Sequence, residues 1–285
     1  MWLKSIIIIS IAIATCIVVA TIYGALHWKA GTKELRVRLE TARLTVKPLT
    51  FDPQEIKGLP QSVQRYFRSV LKDGQPLITS ARISHEGLFN LSKTSEKWSN
   101  FSSNQIVITQ RPGFDWDGRI TVIPGVNVHV HDAYVSGEGI LHAALLGLLT
   151  LANTRSTPEA AQGELMRFLA EAAWYPTSLL PSQGVHWEAI DSSSARATLR
   201  DGDVTVSLDF HFNREGLIMS ISADARVRLV NGSVNYAPWQ GRFWEYELRD
   251  GMYIPLQGEV AWQLPEGSRS YWRGRITSIV YEFAR

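Results

Sequence analysis

The feature that most constrains this chain is strict alternation over residues 204–212. There Val204, Val206, Leu208, Phe210 and Phe212 interleave with Thr205, Ser207, Asp209 and His211. Successive strand side chains point to opposite faces, so a period of two predicts a strand with one dry face and one wet face. The flanking runs repeat the pattern. "ARATLR" at 195–200 joins it through Asp201-Gly202, and "LIMSISA" at 217–223 through Asn213-Arg214-Glu215-Gly216. Asp-Gly between alternating runs is a strong hairpin signal, because glycine tolerates the positive φ that tight turns need. Similar runs at 77–89, 104–110, 116–123 and 126–132 are broken by "RPG" and "IPG", with further turns at Asp250-Gly251 and Pro265-Glu266-Gly267. The expectation is an antiparallel sheet of about eleven strands.

Two helices interrupt it. Pro60 suits a first turn, Val63, Tyr66, Phe67 and Val70 recur at helical spacing, and Asp73-Gly74 stops the run. Thr157-Pro158 makes a capping pair for a second helix, with an apolar stripe of Leu165, Phe168, Leu169 and Ala172. Glu164, Arg167 and Glu171 fall on its other side at ion-pair spacing, which predicts a solvated face. A one-sided sheet cannot bury its apolar face alone. Curling around the helices 60–71 and 158–173 solves this. The predicted fold is mainly β (α+β), an incomplete half-barrel over residues 58–285.

Eight of the ten tryptophans lie beyond residue 57, a large apolar payload. The most lipophilic internal stretch, "GILHAALLGLLTLA" at 139–152, reads as one strand apolar on both faces: a core strand, or the wall of a lipid cavity. The crossing "AEAAWYPTSLLPSQGVHWEAID" at 170–191 carries two tryptophans, a tyrosine and two prolines, far too apolar for a plain linker. It reads as a plug over the mouth of the curled sheet, either permanent core or a lid. On this reading the cavity wall includes Leu141, Leu145, Leu146, Phe210 and Trp262. The plug side includes Phe168, Trp174, Tyr175, Leu179 and Trp187.

The amino-terminal end bears on location. Residues 5–26 carry no charge and are long enough to cross a bilayer, with Lys4 before and His27-Trp28-Lys29 after as an interfacial anchor. The expected organisation is a transmembrane anchor at 1–28, a helical stalk and linker at 29–57, and the β domain. The run is longer than a cleaved signal core, so the anchor is expected to be retained. The basic residues Lys29, Lys33, Arg36, Arg38 and Arg43 argue for a cytoplasmic domain. The net charge of +2 gives no basis for nucleic-acid binding. The one cysteine, Cys16, lies in the apolar run, which leaves the β domain without disulfides.

Reaction chemistry leaves few traces. His129-x-His131-Asp132 places two histidines on one strand face, but zinc would need a third ligand from afar, and the wet face of a strand explains them. Asp115 and Asp117 share a face across Trp116, as acid–base pairs do. Contact with Arg111 or Arg119 is the plainer expectation. Glu171 could serve as an acid, or simply pair with Arg167. No nucleophile elbow, phosphate loop or dinucleotide fingerprint occurs. No catalytic residue, metal or cofactor is therefore assigned.

The motifs "LPQSVQRYFRSVL", "RPGFDWDGRI", "DAYVSGEG" and the 170–191 crossing resemble an uncharacterised bacterial family described only as a domain of unknown function. The element order and "QRPGFDWD" more distantly resemble Lol-type periplasmic lipoprotein carriers, which implies a half-barrel with helices plugging an acyl-binding cavity. The anchor departs from that pattern, since a shuttle must diffuse, and the resemblance implies an anchor in a bacterial inner membrane with the domain on the exported side, against the count of basic residues. The expected function is a membrane-anchored binding protein for a lipid, acyl chain or other hydrophobic ligand at the cell envelope, with an envelope protein as a further partner. The alternatives are a hydrolase or transferase using Asp115, Asp117 or a histidine, and a structural domain docking to a membrane partner.

Overall fold

The computed structural model describes residues 2–92, 96–230 and 233–285. Its strands are β1 (Ile78–Asn90), β2 (Trp98–Ile108), β3 (Gly113–Ile123), β4 (Val126–Val135), β5 (Glu138–Leu145), β6 (Leu149–Arg155), β7 (His186–Ala189), β8 (Ser194–Asp201), β9 (Val204–Phe212), β10 (Ile218–Val230), β11 (Ser233–Arg249), β12 (Met252–Leu264) and β13 (Gly267–Phe283). They form one sheet in the order β6-β5-β4-β3-β2-β1-β13-β12-β11-β10-β9-β8-β7. Two meanders, β1–β6 and β7–β13, are thus sewn together along β1 and β13, in a register that sets Ile83 beside Ile279 and Phe89 beside Trp272. The sheet stays open, with β6 and β7 as its edges.

Three α-helices accompany it: α1 (Trp2–Thr41), α2 (Gln61–Val70) and α3 (Pro158–Glu171). The Thr157 hydroxyl caps α3 by accepting from the Ala160 amide. α3 lies inside the curl and touches β3, β4 and β5 on one limb and β9 and β10 on the other. Short 3-10 turns at Ala172–Trp174, Pro176–Leu179 and Pro181–Gln183 continue it across the concave face. The limbs also meet through Asp201, which accepts from Arg111 Nε at 2.6 Å and from the Tyr134 hydroxyl at 2.9 Å. On β9 the alternation holds: Val206, Leu208, Phe210 and Phe212 are buried beneath α2, α3 and the 3-10 turns. On the outer face Ser207 meets Thr198, and Asp209 meets Arg196.

Three expectations are corrected. The stretch 139–152 is not one strand but the β5–β6 hairpin, one reason the sheet has thirteen strands rather than about eleven. Its turn is built from Leu146 and Gly147, both at positive φ, so no polar turn residue announced it. The Glu164–Arg167–Glu171 side of α3 is not solvated. Both flanks of a helix inside a curl meet the sheet, and the Arg167 and Glu171 side chains are only 16% and 13% exposed. The face bearing His129 and His131 is convex as expected, yet α1 covers it. α1 runs unbroken past the apolar segment and buries Leu35 and Leu39 against Ile108, Ala133, Val135 and Ile140.

Candidate functional site

Where α3 and its 3-10 extension end, the concave face is not filled. A cleft opens over β3, β4, β5, β11, β12 and β13. Its space is about 820 Å³ counted to the open mouth, and about 150 Å³ where a water-sized guest clears the walls. Trp116, Trp239 and Trp272 form its floor, with Phe89, Phe243 and Tyr271 around them. Each of these tryptophans precedes a glycine two positions on, as Trp116-x-Gly118, Trp239-x-Gly241 and Trp272-x-Gly274. Residues i and i+2 share a strand face, so each indole lies over bare backbone. A Cβ at Gly118 or Gly274 would overlap the Trp116 or Trp272 ring, and one at Gly241 would stand 3.2 Å from Trp239. The flat rings leave the space above them open.

α3 contributes the polar wall. Arg167 donates to Asp132 at 2.5 Å and to Glu171 at 2.7 Å, while Gln105 donates to the second Glu171 oxygen at 2.6 Å. Its guanidinium lies 5.0 and 5.3 Å from the Phe114 and Trp116 ring centres, within cation–π range. Burial alone would lower the Arg167 pKa, but Glu171, Asp132 and Glu164 outweigh it and hold the cation above its usual range. Burial, and then the Asp132 charge, raises the Glu164 pKa well above that of an ordinary carboxyl. Burial and the nearby Arg167 charge lower His85 to about 3, leaving a neutral ring packed between Trp174 and Trp272. The Trp116 and Trp174 indole N–H groups have no protein partner among the described residues.

Of the expected cavity residues, Leu141 and Trp174 line this cleft. Leu145 packs half-buried against the main core, and Leu146 forms the β5–β6 turn. Trp262 stacks on Tyr271, which lines the cleft. Phe168, Tyr175, Leu179, Trp187 and Phe210 are close-packed beneath α3 and the 3-10 turns, each at most 5% exposed. Trp187 donates to the Leu179 carbonyl and Tyr175 to the Phe168 carbonyl, so the plug is internally tied. The sequence reading missed Trp116, Trp239 and Trp272. The recurring Trp-x-Gly at strand spacing was the signal that could have found them.

The Asp115–Asp117 pair lies on the opposite, convex face. Asp115 accepts from Arg36 Nε at 2.8 Å and from His131 Nδ1 at 2.7 Å. Thr32 Oγ1 stands 3.0 Å from His131 Nε2, and Asp117 accepts from the Trp28 indole at 3.0 Å. A hydroxyl, an imidazole and a carboxylate in line have the layout of a nucleophilic triad. Thr32, His131 and Asp115 are all buried, however, under a Trp28 ring stacked on His131 and His142. The array is a clasp holding α1 to the sheet. Neither Arg111 nor Arg119 pairs with these aspartates; Arg111 reaches Asp201 instead.

No curated protein matches the chain. Among the solved structures that match it, two illustrate the low level of similarity. One is a LolA superfamily protein from Nitrosomonas europaea, with TM-score 0.34 and 13% identity over 78% of this chain and 92% of that one. The other is a beta-barrel-like protein of domain of unknown function DUF1849 from Brucella abortus, with TM-score 0.26 and 10% identity over 72% of this chain and 99% of that one. The family of unknown function DUF6920 matches residues 57–281, which take in α2, α3 and the sheet up to Tyr281 of β13, and the chain belongs to that family.

Proposed function

We propose that this protein is a membrane-anchored binder of a lipid or other hydrophobic molecule at the cell envelope, with the tryptophan-floored cleft as its binding site. The observation that carries the reading is the cleft itself: in a sheet otherwise covered on its concave side, three Trp-x-Gly units keep one region aromatic and unfilled. Apolar clefts with a few convergent polar groups are the usual form of small-molecule sites. The space suits one acyl chain end or ring. The α1 helix, long and apolar enough to span a bilayer, supports an anchored acceptor, sensor or chaperone on the exported side rather than a diffusing shuttle.

The test is titration of the full chain in mild detergent with a dansyl-labelled undecanoic acid. Saturable emission enhancement, competed by unlabelled fatty acid, is expected for the native protein. Gly274→Ala, which drives the Trp272 ring off its floor, weakens it at least about tenfold, equivalent to about 1.4 kcal/mol. Absence of saturable binding, or equal binding by the variant, overturns the proposal.

A further inference from the structure

The apolar part of α1 makes a contact with the β domain. A Cβ placed on Gly24 would overlap the Leu146 carbonyl oxygen and stand 2.7 Å from Leu148 Cγ. From the other side, a Cβ on Gly147 would stand 2.7 Å from the Gly24 carbonyl oxygen. Two glycines therefore let the helix and the β5–β6 turn meet backbone to backbone, as small residues do between membrane helices. At about 1.5 Å per residue, residues 5–24 rise about 30 Å, the thickness of a bilayer's hydrocarbon core. A helix that enters lipid at Ser5 leaves it at Gly24, and the β5–β6 tip is fixed at that level.

The side chains there suit lipid. Leu149 and Leu151 are 63% and 55% exposed, and Ile123, the last residue of β3 before the neighbouring β3–β4 turn, is 59% exposed. Leu146 N donates to Asn127 O at 2.9 Å, which locks the two turns together. Neither segment 118–131 nor segment 139–158 contains an aspartate or glutamate, so no carboxylate opposes insertion. Exposed apolar surface of this kind marks a protein or membrane contact, and continuity with the apolar helix selects the membrane.

We infer that the β3–β4 and β5–β6 turns are inserted in the surface of the phospholipid bilayer that α1 crosses. The inference rests on the anchored reading above and adds to it a docking face. Ile120 and Leu141 of the cleft wall lie on these same two hairpins, so the cleft is held within a few residues of the lipid.

The test uses the full chain in vesicles of phosphatidylcholine and phosphatidylglycerol, carrying one environment-sensitive NBD fluorophore. Cys16, the only cysteine, is labelled in the native protein to report on α1. In a Cys16→Ala background, Leu149→Cys reports on the tip. Ser136→Cys reports on the exposed β4–β5 turn, about 30 Å away at the other end of β4. Nitroxide-labelled lipid is expected to quench the probes at 16 and 149 several-fold more than the probe at 136, with blue-shifted emission at 149. If position 149 behaves like position 136 while Cys16 is quenched, the docking face is overturned and the anchor stands. That outcome includes burial of the tip against a second copy or a protein. If Cys16 is not quenched, the anchor and the docking face fall together.

Discussion

The concave face has two halves built from the same strands, and they differ in what covers them. Beneath α3 and the 3-10 turns, Phe168, Tyr175, Leu179, Trp187 and Phe210 interlock at interior density. Over β3, β11 and β13, where α3 supplies only one wall, Trp116, Trp239 and Trp272 lie flat on glycine and leave a cleft. Composition does not separate the halves, since both are rich in aromatic residues. The residue two places along the strand does. A side chain at i+2 props an aromatic ring into the core, and a glycine lets it lie down and keeps space above it. The cleft is thus written into the strands and is open with the plug in place.

The largest effect that can break this comparison is loss of a core ring. Phe210→Ala is expected to cost about 3–5 kcal/mol in urea unfolding, because a closed cavity remains. Trp239→Ala enlarges a space that already opens to solvent and is expected to cost at most about half as much, while fatty-acid binding falls. Equal costs would make the two halves one core. Next in size, Gly274→Ala is expected to cost about 1–3 kcal/mol through overpacking. Gly163→Ala in α3, where a Cβ meets nothing within 4 Å, is expected to stabilise by roughly 0.5–1 kcal/mol.

His85 sits at the seam, touching Trp174 and Trp272. Its folded pKa of about 3 lies below the ordinary 6.5. The unfolded chain therefore takes up a proton that the native state refuses. Its contribution is complete above pH 6.5 and is lost as pH falls toward 3, at no more than about 1.4 kcal/mol per pH unit. Glu164 acts oppositely: its raised pKa gives stability that is complete below the unfolded carboxyl value and lost as pH rises through the folded one. The stability difference between the native chain and His85→Asn, followed from pH 7 to 4, isolates the histidine and is expected to narrow as pH falls. A further small effect belongs to the convex side. Asp117→Ala removes the acceptor of the Trp28 indole and is expected to cost about 1 kcal/mol, read as faster amide exchange in α1 near Trp28.

Much of this architecture is legible in the residues. Alternation on β9 and the Asp201-Gly202 turn specify a one-sided hairpin, and Thr157-Pro158 specifies the start of α3, because these signals are local. What escapes is set by distant partners or by turns without polar markers. The histidines at 129 and 131 read as a wet face because their cover, Trp28 and Thr32, lies about a hundred residues earlier. Arg167 reads as solvated because helical periodicity cannot show that a second limb of the sheet closes on the far flank. Trp-x-Gly is local and was readable, but only as three separate tripeptide contexts until the strands brought them side by side.

The most direct measurement of the central claim is native mass spectrometry of the full chain released from mild detergent, native protein against Gly274→Ala. The account predicts discrete lipid-sized adducts on the native chain and their loss from the variant, with both chains folded. A native chain that carries no adduct, or a variant that carries the same one, contradicts it.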